Sequence, residues 1–126
     1  MDKLIVKTTP LFIDSMAEKL RSGGHKLASR FEEFLKSKKD NAMQPFGKSD
    51  KPFIGAGIIQ KAIPNETLLH AHLTHDISVV YSLTGKDPRI MKLYGVFTHD
   101  DMGTGQPMNL KKQKSFSARL SNAGQA

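Results

Sequence analysis

Three consecutive segments with β-strand patterns occupy residues 68–98, and they constrain the fold more than any other feature of the chain. In the first, residues 68–73, alternate positions are aliphatic, which is the two-residue period of a half-buried strand. The second and third, residues 77–83 and 89–98, are rich in β-branched and aromatic side chains. The short turns between the three segments predict an antiparallel meander.

The first forty residues have a different pattern. A short β-prone run at residues 4–6 is followed by Thr9, a candidate helix N-cap, and by Pro10 at the first helical position. Apolar residues then recur at helical spacing over residues 10–20 and again to about residue 38, with a glycine pair between the two stretches. This pattern predicts one strand followed by a helical hairpin.

The order of these elements predicts the fold class. Residues 40–57 contain several prolines and glycines and are predicted to form a long connection. A strand, a helical hairpin and a strand meander in 126 residues indicate a single α+β core. We expect a mainly antiparallel sheet with one face covered by the helices.

Charge and composition narrow the partners. Nineteen Lys and Arg residues against twelve Asp and Glu give a formal charge of +7, which favours nucleic acid or an acidic protein as partner. The chain has no cysteine, so thiolate chemistry and disulfides are excluded. No window approaches the roughly 18 apolar residues of a membrane span, and the first residues lack the apolar core of a secretory signal. We therefore expect a cytoplasmic protein with no membrane partner.

Four of the five histidines lie within thirty residues of one another. His70, His72 and His75 precede Asp76, and His99 follows the third strand of the meander. Imidazole both accepts and donates a proton near neutral pH, because its ordinary pKa is about 6.5. Cleavage of RNA by its own 2′-hydroxyl needs one group in each role. The alternative is that each histidine is only a polar, outward-facing strand residue.

Other kinds of site fit the sequence less well. The histidines at residues 70–72 and 75–76 resemble the HxHxDH metal-ligand run of metallo-β-lactamase-type hydrolases, but the last pair has the reverse order. Ser78 and Ser82 have no nucleophile elbow around them. Residues 103–105 are able to present backbone amides to a phosphate, although their spacing matches no nucleotide-binding motif. We expect neither a metal nor a cofactor.

Two segments resemble YafQ-type toxins of the RelE/ParE superfamily. Residues 72–81, HLTHDISVVY, resemble the H-x-x-x-D-W-x-L-x-Y strand pair of that family, and residues 94–100, YGVFTHD, resemble its last strand. His99 falls on the position of a catalytic histidine. Residues 50–53, DKPF, stand where the family has Asp-His-Pro-Leu, which puts Lys51 at the position of a second one.

The resemblance covers about residues 50–101 and implies both an organisation and a function. It implies a RelE-like toxin domain at residues 1–101 and a basic C-terminal extension at residues 102–126. The implied activity is that of a metal-independent mRNA interferase, a toxin of a type II toxin–antitoxin pair. Its implied partners are mRNA, the ribosome and an acidic antitoxin.

The resemblance also assigns roles to residues. His99 is expected to protonate the leaving oxygen, and His72 or Asp76 to remove or orient the 2′-proton. His70 is a second-rank candidate, and Lys51 completes the candidate catalytic set.

The main departure from the family is that Gly95 aligns with its last-strand arginine. Lys51, Lys86 or Lys92 is expected to supply the missing cation, because an oxyanion needs a positive donor but not specifically a guanidinium. Without the arginine, a non-catalytic binding module directed at gyrase or RNA is the alternative function. The residues expected to contact RNA phosphates are Lys86, Lys92, Lys111, Lys112, Lys114 and Arg119.

Overall fold

Four strands form one sheet with the order β1-β4-β3-β2. They are β1 (Leu4–Thr8), β2 (Leu68–His72), β3 (Ile77–Thr84) and β4 (Arg89–Thr98). β1 is parallel to β4, whereas the β2–β3 and β3–β4 pairs are antiparallel, so the predicted α+β class and the meander are confirmed. The computed structural model describes residues 4–22, 25–42, 46, 52–53, 56–86, 88–105 and 107–124.

The described residues form five helices around the sheet: α1 (Pro10–Arg21), α2 (His25–Asp40), α3 (Gly57–Gln60), α4 (His99–Met102) and α5 (Leu110–Gly124). The first two correspond to the predicted helical hairpin. The sequence did not predict α3 or α4, because a single helical turn is too short to show a period. None of the helices within the described ranges combines the length and apolar composition that a membrane span requires.

Helix α1 lies along the part of β4 that has no strand partner on that side. β1 pairs with β4 only as far as Leu93, where the predicted N-cap Thr9 donates a hydrogen bond of 3.1 Å to the Leu93 carbonyl. Six residues further along the chain, Ser15 Oγ accepts a hydrogen bond of 3.0 Å from the amide of Val96. A Cβ atom on Gly95 would lie 2.8 Å from that same oxygen. The helix therefore satisfies an open strand edge, and glycine permits its close approach.

One face of the sheet packs against α2, and we call this layer the α2-side core. The ring of Phe34 meets Tyr81 of β3 edge-on at 5.3 Å, and Phe31 contacts Phe12 of α1 at 5.4 Å. These contacts join the helical hairpin to the centre of the sheet. The buried residues of the α2-side core are Phe12, Leu27, Phe34, Phe46, Ala71, Leu73, Val79, Tyr81, Met91, Leu93 and Val96.

The opposite face packs against α3 and α5, and we call this layer the α5-side core. Phe116 of α5 meets Phe97 of β4 edge-on at 4.6 Å. Ser117 donates a hydrogen bond to the carbonyl of Ile58 in α3. Its buried residues are Phe53, Ala56, Ile59, Ala62, Ile63, Leu68, Val80, Tyr94, Phe97, Met102, Phe116, Leu120 and Ala123.

The prediction that helices cover only one face is therefore wrong. The lysine-rich C-terminal segment has a second side, on which Phe116 and Leu120 lie one turn apart and are fully buried. Residues on both sides of the predicted division at residue 101 share the α5-side core. The C-terminal segment is part of the same folded unit as the sheet.

This packing predicts that Phe116→Ala lowers the free energy of unfolding by about 3–5 kcal/mol, because it leaves a cavity between α5 and β4. Leu110→Ala, at the exposed start of the same helix, should change it by less than about 0.5 kcal/mol. Urea denaturation followed by circular dichroism measures both values. Equal stability of the two variants would contradict the integration of α5 into the core.

Candidate functional site

Strand pairing brings His72 and His99 to the same end of the sheet. His72 of β2 pairs with Ser78 of β3, which pairs with Phe97 of β4. His99 follows β4 directly and is the first residue of α4. The centroids of the two imidazole rings are 5.6 Å apart. Two residues 27 positions apart in sequence therefore form one pair of potential proton carriers.

The position of His99 is fixed by a capping box at the start of α4. The Thr98 hydroxyl accepts a hydrogen bond from the Asp101 amide, and the Asp101 carboxylate accepts one from the Thr98 amide. Asp101 also forms a 2.7 Å ion pair with Lys19 of α1. Burial alone would raise the pKa of Asp101, but Lys19 and Thr98 overcome this effect and lower it. Asp101 therefore stays ionised and ties the His99 turn to α1.

His72 lies half-buried beside the neighbouring strand. Its Nδ1 atom is 3.4 Å from the hydroxyl of Ser78 on the neighbouring strand. Burial lowers the pKa of His72 below its ordinary value of 6.5, and the adjacent charge of His99 lowers it further. His72 is consequently neutral at neutral pH, which is the form that a general base requires.

His70 and Phe53 extend the pair into a row of four rings. The ring of Phe53 stacks on His70 at 4.5 Å, and His70 meets His72 at 5.9 Å. The backbone amide of Phe53 donates a hydrogen bond to Gln60 Oε1 at 2.7 Å. The Nε2 atom of Gln60 in turn donates to the carbonyl of Leu68. We call Phe53, His70, His72 and His99 the ring row.

A cavity of about 170 Å³ opens beside the ring row. His70, His99 and Phe53 line one part of it, and Met102, Thr104 and Met108 line another. The amide of Thr104 donates to the His99 carbonyl at 3.0 Å, so the far wall is attached to the α4 turn. The site thus combines two imidazoles with an adjoining recess whose lining is about half polar and half apolar.

One predicted catalytic residue, Asp76, does not join this arrangement. Asp76 lies exposed in the β2–β3 turn, and its side chain forms no hydrogen bond or ion pair within the described residues. His75 is exposed in the same turn. Lys51 lies outside the described residues. Of the predicted catalytic set, the structure brings together His70, His72 and His99.

Lys86 and Lys92 lie at the wrong end of the sheet to act on the same phosphate. Lys92 pairs with Ser82, near the start of β4, and its ammonium lies 5.3 Å from the ring of Tyr94. A strand rises about 3.3 Å per residue, which puts Lys92 roughly 20 Å from Thr98. Lys86 is in the β3–β4 turn, which is at that same distant end.

The arginine expected from the resemblance has no room on β4. A Cβ atom at Gly95 would lie 2.4 Å from the ring of Phe97, besides its contact with Ser15. Any side chain at this position would displace either the core or α1. The close packing of α1 against β4 therefore requires glycine at residue 95.

The cations of α5 are spread along the helix. Lys112 forms an ion pair of 2.6 Å with Asp100, the residue after His99. Lys111 and Lys114 are exposed. The guanidinium of Arg119 lies 5.6 Å from the ring of Phe97. Lys112 is the predicted RNA-binding residue that forms an ion pair with the residue following His99.

The alternative sites receive no support from the geometry. Among the described residues, no three His, Asp or Glu side chains are arranged to hold a metal ion. The amides of Gly103 and Thr104 donate to the carbonyls of Asp100 and His99, so they are not available to a phosphate. Gly103 has a positive φ of 76° and ends α4.

Sequence reasoning missed several members of the site. Ser78 was considered only as a nucleophile, although the strand register predicts that it faces His72. The sequence predicts no element at Gln60 and only a turn around Thr104, so no period indicates a direction for either side chain. Phe53 belongs to the motif at residues 50–53, but its stacking on His70 depends on the path of the connection.

Comparison of the chain with protein-family models, with curated proteins and with solved structures finds no match in any of the three. The chemistry of the site must therefore be argued from its own geometry.

The geometry predicts that the pKa of His72 in the folded protein is below 6.5, so that its protonation favours the unfolded state and stability falls as pH decreases below 6.5. An NMR titration of the His72 ring measures this value. His99→Ala should raise the midpoint only part of the way towards 6.5, because burial is the larger cause.

The control is His75→Ala, which removes an exposed imidazole from the adjoining turn and should leave the His72 midpoint unchanged. A His72 midpoint at or above 6.5 in the wild-type protein would contradict the half-buried position described above.

Proposed function

We propose that this protein is a metal-independent endoribonuclease that cleaves RNA by attack of the 2′-hydroxyl. The observation that carries the proposal is the pair of His72 and His99, with ring centroids 5.6 Å apart and with the pKa of His72 lowered by burial. Paired imidazoles supply the base and the acid that this reaction needs.

In the proposed reaction, neutral His72 removes the proton of the 2′-hydroxyl. The 2′-oxygen then forms a bond to phosphorus, while the bond from phosphorus to the 5′-oxygen breaks. Protonated His99 donates its proton to that leaving oxygen. Hydrogen bonds of about 2.8 Å from two rings at this separation are able to reach different oxygens of one phosphate group.

The developing negative charge on the phosphate requires a cation. We assign this role to Lys112, which is held near His99 by its ion pair with Asp100. Because Asp100 is exposed, this ion pair is weak enough to exchange for a phosphate. Lys111 and Lys114, which are exposed on the same helix, would extend contact along the RNA backbone.

The resemblance to RelE-type toxins suggests a substrate and an inhibitor for the proposed nuclease. The strand, helical hairpin and three-stranded meander follow the order that the resemblance implies, which supports this assignment. The proposed substrate is then mRNA on the ribosome, and the proposed inhibitor is an acidic antitoxin. The positive charge of the chain suits both partners.

One observation favours a second candidate, a non-catalytic binding module directed at RNA or gyrase. Gly95 occupies the position of an arginine that the family uses, and the packing around it excludes a replacement. In that case the histidines would be structural, and substitution of the α5 lysines would weaken binding and reduce its dependence on salt.

The proposal predicts that the purified protein cuts free single-stranded RNA in the presence of EDTA, and cuts mRNA on intact ribosomes in a buffer that contains Mg²⁺. His72→Ala and His99→Ala should each lower the rate by roughly 100- to 10,000-fold, because each removes one proton-transfer group. Gel analysis of an end-labelled RNA measures these rates.

The matched control is His75→Ala, which is exposed in the β2–β3 turn and should cut at the wild-type rate. RNA that stays intact in every condition would remove the enzyme proposal in favour of the binding module. If His72→Ala and His99→Ala both cut RNA at the wild-type rate, the assigned mechanism would be wrong.

A further inference from the structure

The cavity beside the ring row is lined by aromatic rings and by flexible apolar side chains. Phe53 and His70 provide ring surfaces, and Met102 and Met108 provide flexible apolar side chains. Thr104 is the polar, uncharged member of the lining. Its hydroxyl oxygen is shielded from solvent and has no hydrogen-bond partner among the described protein residues.

The volume of the cavity limits what it can hold. At about 170 Å³ it slightly exceeds an engineered protein cavity of about 150 Å³ that binds benzene. A single six-membered ring fits this space, and the fused rings of a purine would fill more of it and reach further towards its opening. Aromatic and methionine surfaces are suited to the faces of such a ring.

Thr104 adds a requirement for hydrogen bonding. A hydroxyl group both donates and accepts, so it is able to accept from N3–H of uracil or to donate to N3 of cytosine. A buried hydroxyl without a partner favours a ligand that supplies one. The recess is therefore matched to either pyrimidine base.

We propose that this cavity is a pyrimidine subsite for the nucleotide on the 3′ side of the cleaved bond. The inference rests on the proposed function for its position in the RNA. The cavity is lined by His99, the proposed acid, and His99 acts on the 5′-oxygen of that nucleotide. His72, the proposed base, does not line it.

The position of the subsite is fixed by the same contacts that hold the catalytic pair. The Thr104 amide is bonded to the His99 carbonyl, so Thr104 and His99 move as one turn. Phe53 is held through Gln60 to the edge of β2, next to His70. A nucleotide whose base is bound between these walls would have its 5′-oxygen held at a fixed position relative to His99.

The test uses four oligodeoxynucleotides that each contain one ribonucleotide, followed by dU, dC, dA or dG. We expect kcat/KM to be at least about tenfold higher for the two pyrimidines, because the N3 edge of a pyrimidine lies closer to its sugar than the corresponding edge of a purine, and Thr104 lies in the same turn as His99. Equal rates for all four substrates would overturn the pyrimidine subsite while leaving the nuclease intact.

Variants at Thr104 test the hydroxyl itself. Thr104→Val keeps the shape and should reduce the pyrimidine-to-purine ratio of kcat/KM by about tenfold, whereas Thr104→Ser should restore it. The control is Thr67→Val, at an exposed threonine before β2, which should keep the wild-type ratio. A wild-type ratio in Thr104→Val would overturn the inference.

A binding measurement separates this inference from the proposed function. Uridine 5′-monophosphate should shift the NMR signals of Thr104 and His99 in the wild-type protein more than adenosine 5′-monophosphate does. If no oligonucleotide is cut but uridine 5′-monophosphate still binds in a way that Thr104→Val weakens, the subsite stands and the nuclease fails. If neither cleavage nor this binding occurs, the subsite is overturned as well.

Discussion

The contact between α1 and the open edge of β4 is the constraint on which the site depends. Thr9 and Ser15 satisfy backbone groups that β1 does not reach, and Gly95 allows the helix to approach. At the far end of α1, Lys19 binds Asp101, whose carboxylate also closes the capping box of α4. Burial opposes the charge of Lys19, but Asp101 overcomes this effect and raises its pKa, so the pair stays ionised at neutral pH. The edge contact thus holds the turn that carries the acid of the proposed reaction.

The same constraint explains how this chain departs from the family it resembles. An arginine at residue 95 of β4 is incompatible with a helix packed directly on that strand, and in the proposed reaction the positive charge would come from α5. That helix packs against the sheet through Phe116 and Leu120, and its exposed side carries the lysines. Lys112 then reaches Asp100 beside His99. The C-terminal helix therefore contributes both to the core and to the charge around the site.

Much of the fold could be predicted because its signals are local. Thr9 and Pro10 mark the start of α1, and the bounds of β4 follow from an uninterrupted β-prone run. The coverage of both faces could not be predicted, because the apolar positions of α5 are few and lie among lysines. The separation of Lys86 from the histidines could be predicted, because successive turns of a meander lie at opposite ends of the sheet. The pairing of His72 with His99 follows from the same rule, but the stacking of Phe53 on His70 depends on a long connection with no period.

The central claim is that two imidazoles cleave RNA with its own 2′-hydroxyl as the nucleophile. The most direct test is to identify the ends of the RNA fragments by mass spectrometry after reaction in EDTA. The account predicts 2′,3′-cyclic phosphates on one side of the cut and 5′-hydroxyls on the other. Fragments that carry 3′-hydroxyls and 5′-phosphates would show that water is the nucleophile and would contradict it.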